Sequence, residues 1–189
     1  MKCNYPNLCI EADRLIIRPL ELTDFDAFKH SFATRQPKQN EFDSDDIDVS
    51  HYTLHTFSEV IQSFIKLADN DESYIFGIFL KTTGELLGKV EFSTLCRELT
   101  GDINWGVVGY IIHNRHWGNG YGTEALRATL PYALHNLRYH RIEAHITPTN
   151  TRSIKAAEHA GMNYECTRER FIREDEQWID KRIYTITAP

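Results

Sequence analysis

The sequence predicts one α/β domain over residues 1–189, and three observations support this fold class. Segments of strand-like composition alternate with segments whose apolar residues recur at helical spacing. Hydrophobic residues make up 41% of the chain and charged residues 25%, which is typical of globular domains. The sequence contains no internal repeat, linker or low-complexity tract, and its length suits a single hydrophobic core.

The first half of the chain predicts one strand, two helices and a pair of strands. Arg14–Leu20 has strand-like composition and is closed by a proline. A helix is expected to begin near Thr23, and Thr56–Ala68 predicts a second helix because its apolar residues fall mostly at helical spacing. Tyr74–Leu80 and Leu86–Leu95 are expected to form a hairpin around a turn that contains glycine.

The second half predicts four strands and two helices. Ile103–Ile112 is a strand that enters a glycine-rich loop, and a helix with regularly spaced leucines begins at Thr123. Arg141–Ile146 is a short strand, and Thr151–Ala160 is a helix followed by glycine. Two further strands are expected within residues 162–187. The chain thus predicts seven strands and four helices.

Composition and charge exclude several classes of function. The net charge is −6, the isoelectric point is near 5.8, and the chain has no block of Lys and Arg, so nucleic acid is not an expected partner. An acidic surface favours a cationic partner instead, such as an amine or a basic peptide. No apolar stretch is long enough for a membrane helix. We therefore expect a cytoplasmic protein with no membrane partner.

Neither cysteines nor histidines suggest a metal site. The four cysteines form no Cys-x-x-Cys pair and no zinc spacing, and they are expected to be reduced thiols. They are Cys3, Cys9, Cys96 and Cys166. Nothing pairs Cys96 or Cys166 with a histidine as a nucleophile would require. The nine histidines form no metal-binding pattern, so no metal is expected.

An acidic stretch, Glu41–Asp48, admits two interpretations. A solvated or mobile loop is the simpler one, because runs of like charge usually face water. Alternatively, the carboxylates form an acidic rim that attracts a cationic substrate.

Gly109–Ala125, reading GYIIHNRHWGNGYGTEA, is the most informative segment. A short apolar run ends in a loop with three alternate glycines, and a helix then begins. Glycines let the backbone approach a phosphate closely, and the N–H groups at a helix start favour negative charge. The loop lacks the Gly-Lys-Ser/Thr ending of a Walker loop. It also has Thr123 where a GxGxxG dinucleotide motif needs its third glycine.

Two segments together carry a resemblance to a known family. WGNGYGTEA and YHRIEAHITPTNTRSIKAAEHAGM resemble the core of the GCN5-related N-acetyltransferases (GNAT). Within that superfamily they resemble the branch of ribosomal-protein alanine and serine N-terminal acetyltransferases, which often has Trp at the position of Trp117. The resemblance is close over roughly residues 109–162 and agrees with the order of elements on either side.

The resemblance implies a GNAT-like fold and a donor site. The fold is a mixed, mostly antiparallel sheet splayed at its centre, with acetyl-CoA in the opening. The backbone of Tyr110, Ile111 and Ile112 would pair with the pantetheine arm, and Asn150 would hydrogen-bond to it. Backbone amides of the glycine loop would bind the pyrophosphate, and such N–H groups suit that ligand. They belong to Trp117, Gly118, Asn119, Gly120, Tyr121, Gly122 and Thr123.

The resemblance also implies a general acid. Ser153 would lie near the sulfur, where a hydroxyl can stabilise or protonate the leaving thiolate. Many family members carry a tyrosine acid seven residues after the asparagine, but this chain has Ala157 there. The acid is then Ser153 or a water molecule. Helix capping is an equally good explanation of Asn150 and Ser153, and the two roles are compatible.

A general base is less well indicated. Many family members carry a glutamate two positions before the Gly-Tyr pair, where this chain has Val107. Glu91, on the neighbouring strand, is the best remaining carboxylate, with Asp102 and Glu165 behind it. A solvent-facing strand glutamate is the alternative interpretation of Glu91.

The implied activity is direct transfer of an acetyl group from acetyl-CoA to a primary amine, in a ternary complex. An α-amine of pKa about 7.7–8.0 is roughly a tenth neutral at pH 7, whereas lysine is far less so. Because the sequence indicates no strong general base, a protein N-terminal α-amine is favoured as the acceptor. Two alternatives remain: a small-molecule acetyltransferase for an amino sugar, polyamine or amino acid, and a non-catalytic acyl-CoA-binding module. Exposed edge strands make a homodimer plausible.

Overall fold

An eight-stranded sheet and four α-helices account for most of the described part of the computed structural model, residues 4–45, 47–98, 103–174 and 176–189. The strands are β1 Ile10–Glu11, β2 Leu15–Arg18, β3 Ser73–Leu80, β4 Leu86–Arg97, β5 Asn104–Ile112, β6 Arg141–Ile146, β7 Asn163–Glu174 and β8 Gln177–Thr187. The α-helices are α1 Phe25–Ala33, α2 Leu54–Asp69, α3 Tyr121–His135 and α4 Thr151–His159. Short 3₁₀ turns lie at Tyr5–Asn7, Leu22–Asp24 and Asn114–His116.

The sheet has the order β1-β2-β3-β4-β5-β6-β8-β7. Neighbouring strands are antiparallel except β5 and β6, which are parallel. Their pairing runs only from Trp105 opposite Arg141 to Val107 opposite Glu143. Beyond this point β5 continues to Ile112 and β6 to Ile146 without pairing to each other. The sheet is therefore open at its centre, between β5 and β6.

The predicted α/β fold, with a mixed and mostly antiparallel sheet splayed at its centre, is confirmed. The four helices and seven of the strands lie where the sequence places them, within a few residues. Strand β1 was not predicted because its two residues are too few to show an alternating pattern. Helix α3 begins at Tyr121, two residues earlier than expected, because Gly120 takes the position before its first turn.

The two faces of the central strands have different surroundings. One face packs against α3 and α4, and its buried side chains form the main hydrophobic core. They include Val90, Phe92, Val108, Ile142, Ala144, Leu126, Leu130 and Ile154. The intervening residues of the strands point to the opposite face. Register pairs Glu91 with Gly109, and Val107 with Glu143, on that second face.

Gly88 allows close contact between β4 and β5. A Cβ atom at this position would collide with the backbone carbonyl oxygen of Ile111. Since that oxygen belongs to the neighbouring strand, a flexible side chain cannot relieve the collision. The last residues of β5 lie at the open centre of the sheet, so their position depends on this contact.

We expect Gly88→Ala to lower the free energy of unfolding by about 1–3 kcal/mol, the usual cost of overpacking. Urea unfolding measures it. Gly109→Ala is the matched control on β5, because its added Cβ would lie 3.4 Å from the Glu91 side chain, an ordinary contact. Equal stability of the two variants would contradict the close approach at Gly88.

Candidate active site

The inner edge of β5 offers unpaired backbone groups at the opening. The His113 N–H donates to the Leu87 carbonyl on β4, at 2.8 Å. The Ile112 carbonyl points the other way and accepts from Trp117 Nε1 at 2.7 Å. Because backbone groups of successive residues alternate in direction along a strand, those of Tyr110 also point away from β4. The N–H and C=O of Tyr110 thus face the opening.

A cavity of about 700 Å³ lies against this edge. It is lined by most of the residues predicted to bind the cofactor, namely Tyr110, Ile111, Ile112, Trp117, Gly118, Gly120, Tyr121, Gly122, Thr123, Asn150 and Ser153. Asn119 is exposed and is not among them, and its amide donates to the carbonyls of His116 and Trp117. The structure thus brings to one cavity residues as far apart in sequence as Tyr110 and Ser153, which are 43 positions apart.

The glycine loop has the backbone geometry of an anion site. Gly118 and Gly120 adopt φ values of 81° and 77°, a left-handed conformation that residues with a Cβ rarely take. This conformation turns the chain directly into α3 at Tyr121. The N–H groups of the first turn of a helix lack intrahelical partners and attract negative charge. The start of α3 faces the cavity, since residues 120–123 line it.

A cation lies beside the loop on a residue of α4. The Arg152 guanidinium carbon is 3.5 Å from the centroid of the Trp117 ring, a cation–π contact. The indole of Trp117 is itself fixed by its bond to Ile112. Trp117 therefore has two structural roles that the sequence did not reveal: it holds the end of β5 and seats Arg152 at the cavity.

Helix α4 begins at the opening with a capped first turn. The Asn150 side-chain oxygen accepts from the Ser153 N–H at 3.2 Å, so the capping role is confirmed. The Ser153 hydroxyl is 3.0 Å from the Tyr110 hydroxyl, which joins α4 to β5 across the opening. Burial raises the pKa of Tyr110, although its bond to Ser153 and the charge of Arg152 oppose this. The Tyr110 hydroxyl is thus a neutral partner that orients Ser153.

Two of the carboxylates predicted as general bases, Glu91 and Glu165, lie away from the cavity. Glu91 faces Gly109 in register, and its carboxylate accepts from Lys89 Nζ at 2.6 Å. It does not line the cavity. Glu165 is exposed and paired with Arg141, and Asp102 lies outside the described residues. The catalytic role of Glu91 stays a prediction.

The acidic stretch contributes one wall of the cavity. Residues 41–44 line it. Asp43 is only 5% exposed, and its carboxylate accepts from Arg35 at 2.9 Å and from the Asn114 amide at 2.8 Å. For Asp43 the interpretation as a solvated loop is wrong, because its charge is neutralised by a buried arginine. Asp45 and Asp48 are exposed, and Asp46 lies outside the described residues.

His113 fixes the end of β5 against α1. Its Nδ1 donates to the Ser31 carbonyl at 2.9 Å, and its ring packs edge-on against Phe32. Burial lowers the pKa of His113 to about 4, although the bond to Ser31 opposes the shift. His113 is therefore neutral at pH 7, and charging it opposes folding.

Solved structures of other proteins share the fold of this chain. RimJ of Mycobacterium smegmatis, solved in complex with CoA-disulfide, is 23% identical with a TM-score of 0.78, and the match covers 100% of this chain and 90% of that one. A ribosomal-protein-S5-alanine acetyltransferase from Vibrio fischeri is 19% identical with a TM-score of 0.70, covering 96% and 97%. At these identities the likeness concerns the fold, which is that of the N-acetyltransferases.

Sequence comparison gives the family. The model of the acetyltransferase (GNAT) domain family matches residues 14–163. YjcK of Bacillus subtilis (strain 168), named a probable N-acetyltransferase, is 29% identical over 180 residues, which cover 95% of this chain and 97% of YjcK. The chain belongs to the GNAT family and is an acetyl-CoA-dependent N-acetyltransferase. The family resemblance inferred from the sequence is thus confirmed.

None of the helices in the described residues is both long and apolar enough to cross a membrane. In the same residues, no three His, Cys, Asp or Glu side chains come together as a metal site would require. The expectation of no metal cofactor stays a prediction.

Acidification is expected to destabilise the protein through His113. Its pKa is lower in the folded state than in the unfolded chain, so the unfolded chain binds the extra proton and stability falls as pH drops from about 6.5 towards 4. Between pH 7 and pH 5 this amounts to about 2 kcal/mol. Urea unfolding should show a smaller loss for His113→Gln.

His55→Gln is the matched control for this titration, because the His55 side chain is 83% exposed. It should lose as much stability on acidification as the wild type does. If His113→Gln also loses as much, the acid sensitivity arises elsewhere.

Proposed function

We propose that this chain transfers the acetyl group of acetyl-CoA directly to a protein N-terminal α-amine, in a ternary complex and without a covalent enzyme intermediate. The observation that carries the proposal is one continuous cavity that joins an unpaired strand edge, a glycine loop at a helix start and the Ser153 hydroxyl. The strand edge would bind the pantetheine of the donor, and the glycine loop would bind its pyrophosphate. The Ser153 hydroxyl would lie at its thioester.

The donor would bind along β5 and the glycine loop. The pantetheine arm contains amide groups, and it would pair with the outward N–H and C=O of Tyr110 as an added strand does. Its pyrophosphate would accept hydrogen bonds from the N–H groups of residues 117–123, where the dipole of α3 favours negative charge. Arg152 would supply a positive charge at the same end. Asn150, on the cavity wall, would hydrogen-bond to the pantetheine.

Ser153 is the proposed general acid. Its hydroxyl would protonate or stabilise the thiolate as the carbon–sulfur bond breaks. The Tyr110 hydroxyl, 3.0 Å away, would hold Ser153 in position without competing as an anion, since its pKa is raised. Ala157 is fully buried at the position where many family members have a tyrosine acid, so that residue cannot take the role.

The proposed acceptor is an α-amine because its lower pKa makes it less dependent on a general base than lysine is. About a tenth of an α-amine of pKa 7.7–8.0 is neutral at pH 7, whereas an unperturbed lysine is almost fully charged. Glu91 is the carboxylate proposed as base from the sequence, and its ion pair with Lys89 would have to open for that role. One fold neighbour described above is named a ribosomal-protein-S5-alanine acetyltransferase, which supports a protein acceptor by analogy.

One further candidate remains for the acceptor. A small amine such as an amino sugar, polyamine or amino acid would also reach a site beside an acidic wall with Glu41 on it. The alternative of a non-catalytic acyl-CoA-binding module, which Val107 and Ala157 suggested, is not supported by membership of an acetyltransferase family. A homodimer stays a prediction in each case.

We expect the protein to release free CoA thiol from acetyl-CoA with peptides that have a free N-terminus, and faster than with an internal lysine peptide. The reason is the larger neutral fraction of an α-amine. A thiol-release assay over N-terminal peptides, polyamines and amino sugars measures the rates. Preference for a small amine would select the second candidate, and CoA binding without turnover across the panel would contradict both.

Ser153→Ala is expected to lower kcat by about 100-fold while leaving CoA affinity nearly unchanged, since general acid–base catalysis is worth roughly 10²–10⁴-fold. Steady-state kinetics and calorimetry with CoA separate the two effects. Thr151→Ala is the matched control, because Thr151 is an exposed hydroxyl in the first turn of the same helix. Equal rates for both variants would exclude Ser153 as the acid.

A further inference from the structure

A histidine on β6 lies beyond the end of the β5–β6 pairing, on the face of the sheet opposite α4 and Ser153. Pairing of β5 with β6 ends at Val107 and Glu143, so His145 would lie opposite Gly109 if the register continued. His145 and Glu143 are two residues apart on one strand and therefore share a face. That face also carries Glu91, whereas α4 with Ser153 packs on the other face. Gly109 has no side chain to fill the space between them.

Glu143 is a buried carboxylate whose two oxygens have different partners. Its side chain is 1% exposed. Oε1 accepts from Arg141 at 2.7 and 2.9 Å and from Arg168 at 3.3 Å. Oε2 is bonded to His145 Nε2 at 2.7 Å. Burial alone would raise the pKa of Glu143, but the bonds from His145 and Arg141 keep it lowered, so the carboxylate is ionised.

An ionised partner fixes the tautomer of His145. A carboxylate can only accept, so in the neutral imidazole Nε2 of His145 carries the proton and Nδ1 carries the lone pair. Within the described residues, no hydrogen bond to Nδ1 is present. The His145 side chain is 11% exposed, and its ring packs edge-on against Phe171 of β7 with 5.2 Å between centroids. Glu143 and Phe171 thus hold the ring on two sides, and Nδ1 is left without a hydrogen-bond partner among the described residues.

A bend in the outer hairpin brings Phe171 to this position. The register of β7 and β8 shifts between Arg168 and Ile172, and Arg170 adopts a left-handed φ of 49°. Its N–H donates to the Asp180 side chain at 2.8 Å, which stabilises the bend. The hairpin therefore places an aromatic ring beside His145 at the open centre of the sheet.

We propose that His145 is the general base for the acceptor amine and that Glu143 is its positioning residue. This inference rests on the proposed function and replaces Glu91 in that role. Glu143 would stabilise the imidazolium that forms when Nδ1 takes a proton, as the carboxylate of a catalytic triad does. Arg141 and Arg168 would hold Glu143 with Oε2 towards His145.

The acetyl transfer removes two protons from the acceptor nitrogen. The acceptor ammonium gives one proton to Nδ1 of His145, and the neutral nitrogen attacks the thioester carbon. The carbon–nitrogen bond forms as the carbon–sulfur bond breaks, and the electron pair leaves with sulfur. Sulfur takes a proton from the Ser153 hydroxyl, which is restored by the second proton that the nitrogen loses. His145 returns its proton to solvent, and the products are the amide, CoA thiol and one proton.

Charged groups from four strands surround His145. On β6 itself these are Glu143 and Arg141, and on β7 Arg168 bonds to Glu143. On β8, Lys181 lies two residues from Ile183, the register partner of His145, and is therefore on the same face. Lys181 bonds to Thr147 and Glu174. Across the opening lies Glu91, paired with Lys89. The positive charges near His145 thus already have partners in the structure.

The test compares His145→Gln with Glu91→Gln on one peptide made with either alanine or trifluoroalanine as its first residue. The fluorines lower the amine pKa, so the second peptide depends less on a base. We expect H145Q to lose about 100-fold in kcat with the alanine peptide and much less with trifluoroalanine. The ratio of the kcat values for the two peptides should be the same in E91Q as in the wild type.

Controls separate a catalytic role from a structural one. His140→Gln changes an exposed histidine at the start of the same segment and should behave as the wild type. CoA affinity, measured by calorimetry, should be unchanged in H145Q and in a second variant, His145→Asn. If both His145 variants lose CoA binding, the residue is structural and the inference is overturned.

The remaining outcomes distinguish this inference from the proposed function. A different result is that the wild type releases thiol, and E91Q loses kcat with the alanine peptide but much less with the trifluoroalanine peptide. Glu91 is then the base and His145 is not. If the wild type is active and H145Q loses the same factor with both peptides, His145 does not take the proton. If the wild type releases no thiol with any amine, the proposed function fails and this inference fails with it.

Discussion

The short pairing between β5 and β6 is the constraint on which the rest of the structure depends. These two strands share only three register pairs, the last between Val107 and Glu143. Beyond them, every backbone group of β5 that points away from β4 needs another partner, because unpaired buried groups are costly. Trp117 supplies one to Ile112, and the remaining groups face the cavity. The opening therefore creates the need for a ligand that carries amide groups.

The opening also divides the site between two faces of the sheet. Tyr110 reaches Ser153 on the face covered by α3 and α4. Gly109, Glu91 and His145 belong to the other face. A donor lying between the strands would have its thioester exposed to both sides at once. Groups that handle the leaving sulfur and groups that handle the incoming amine can thus act without interfering with one another.

A feature could be predicted from the sequence when the residues that determine it lie close together along the chain. The glycine loop and the start of α3 could be predicted because all their determinants lie within about a dozen consecutive residues. The Tyr110–Ser153 contact joins residues 43 positions apart, and only the packing of α4 against β5 brings them together. Asp43 was expected in solvent because composition does not show that Arg35 and Asn114 surround it.

One wall of the cavity is built from contacts that are distant along the chain. The Asn114 amide bonds to the Gln36 backbone and to Asp43, across 78 and 71 positions. Such contacts form late in folding, because closing long loops costs entropy first. A donor that binds only the completed wall favours the folded state by mass action. The cellular supply of the donor would then govern how long this protein survives unfolding and proteolysis, as well as how fast it works.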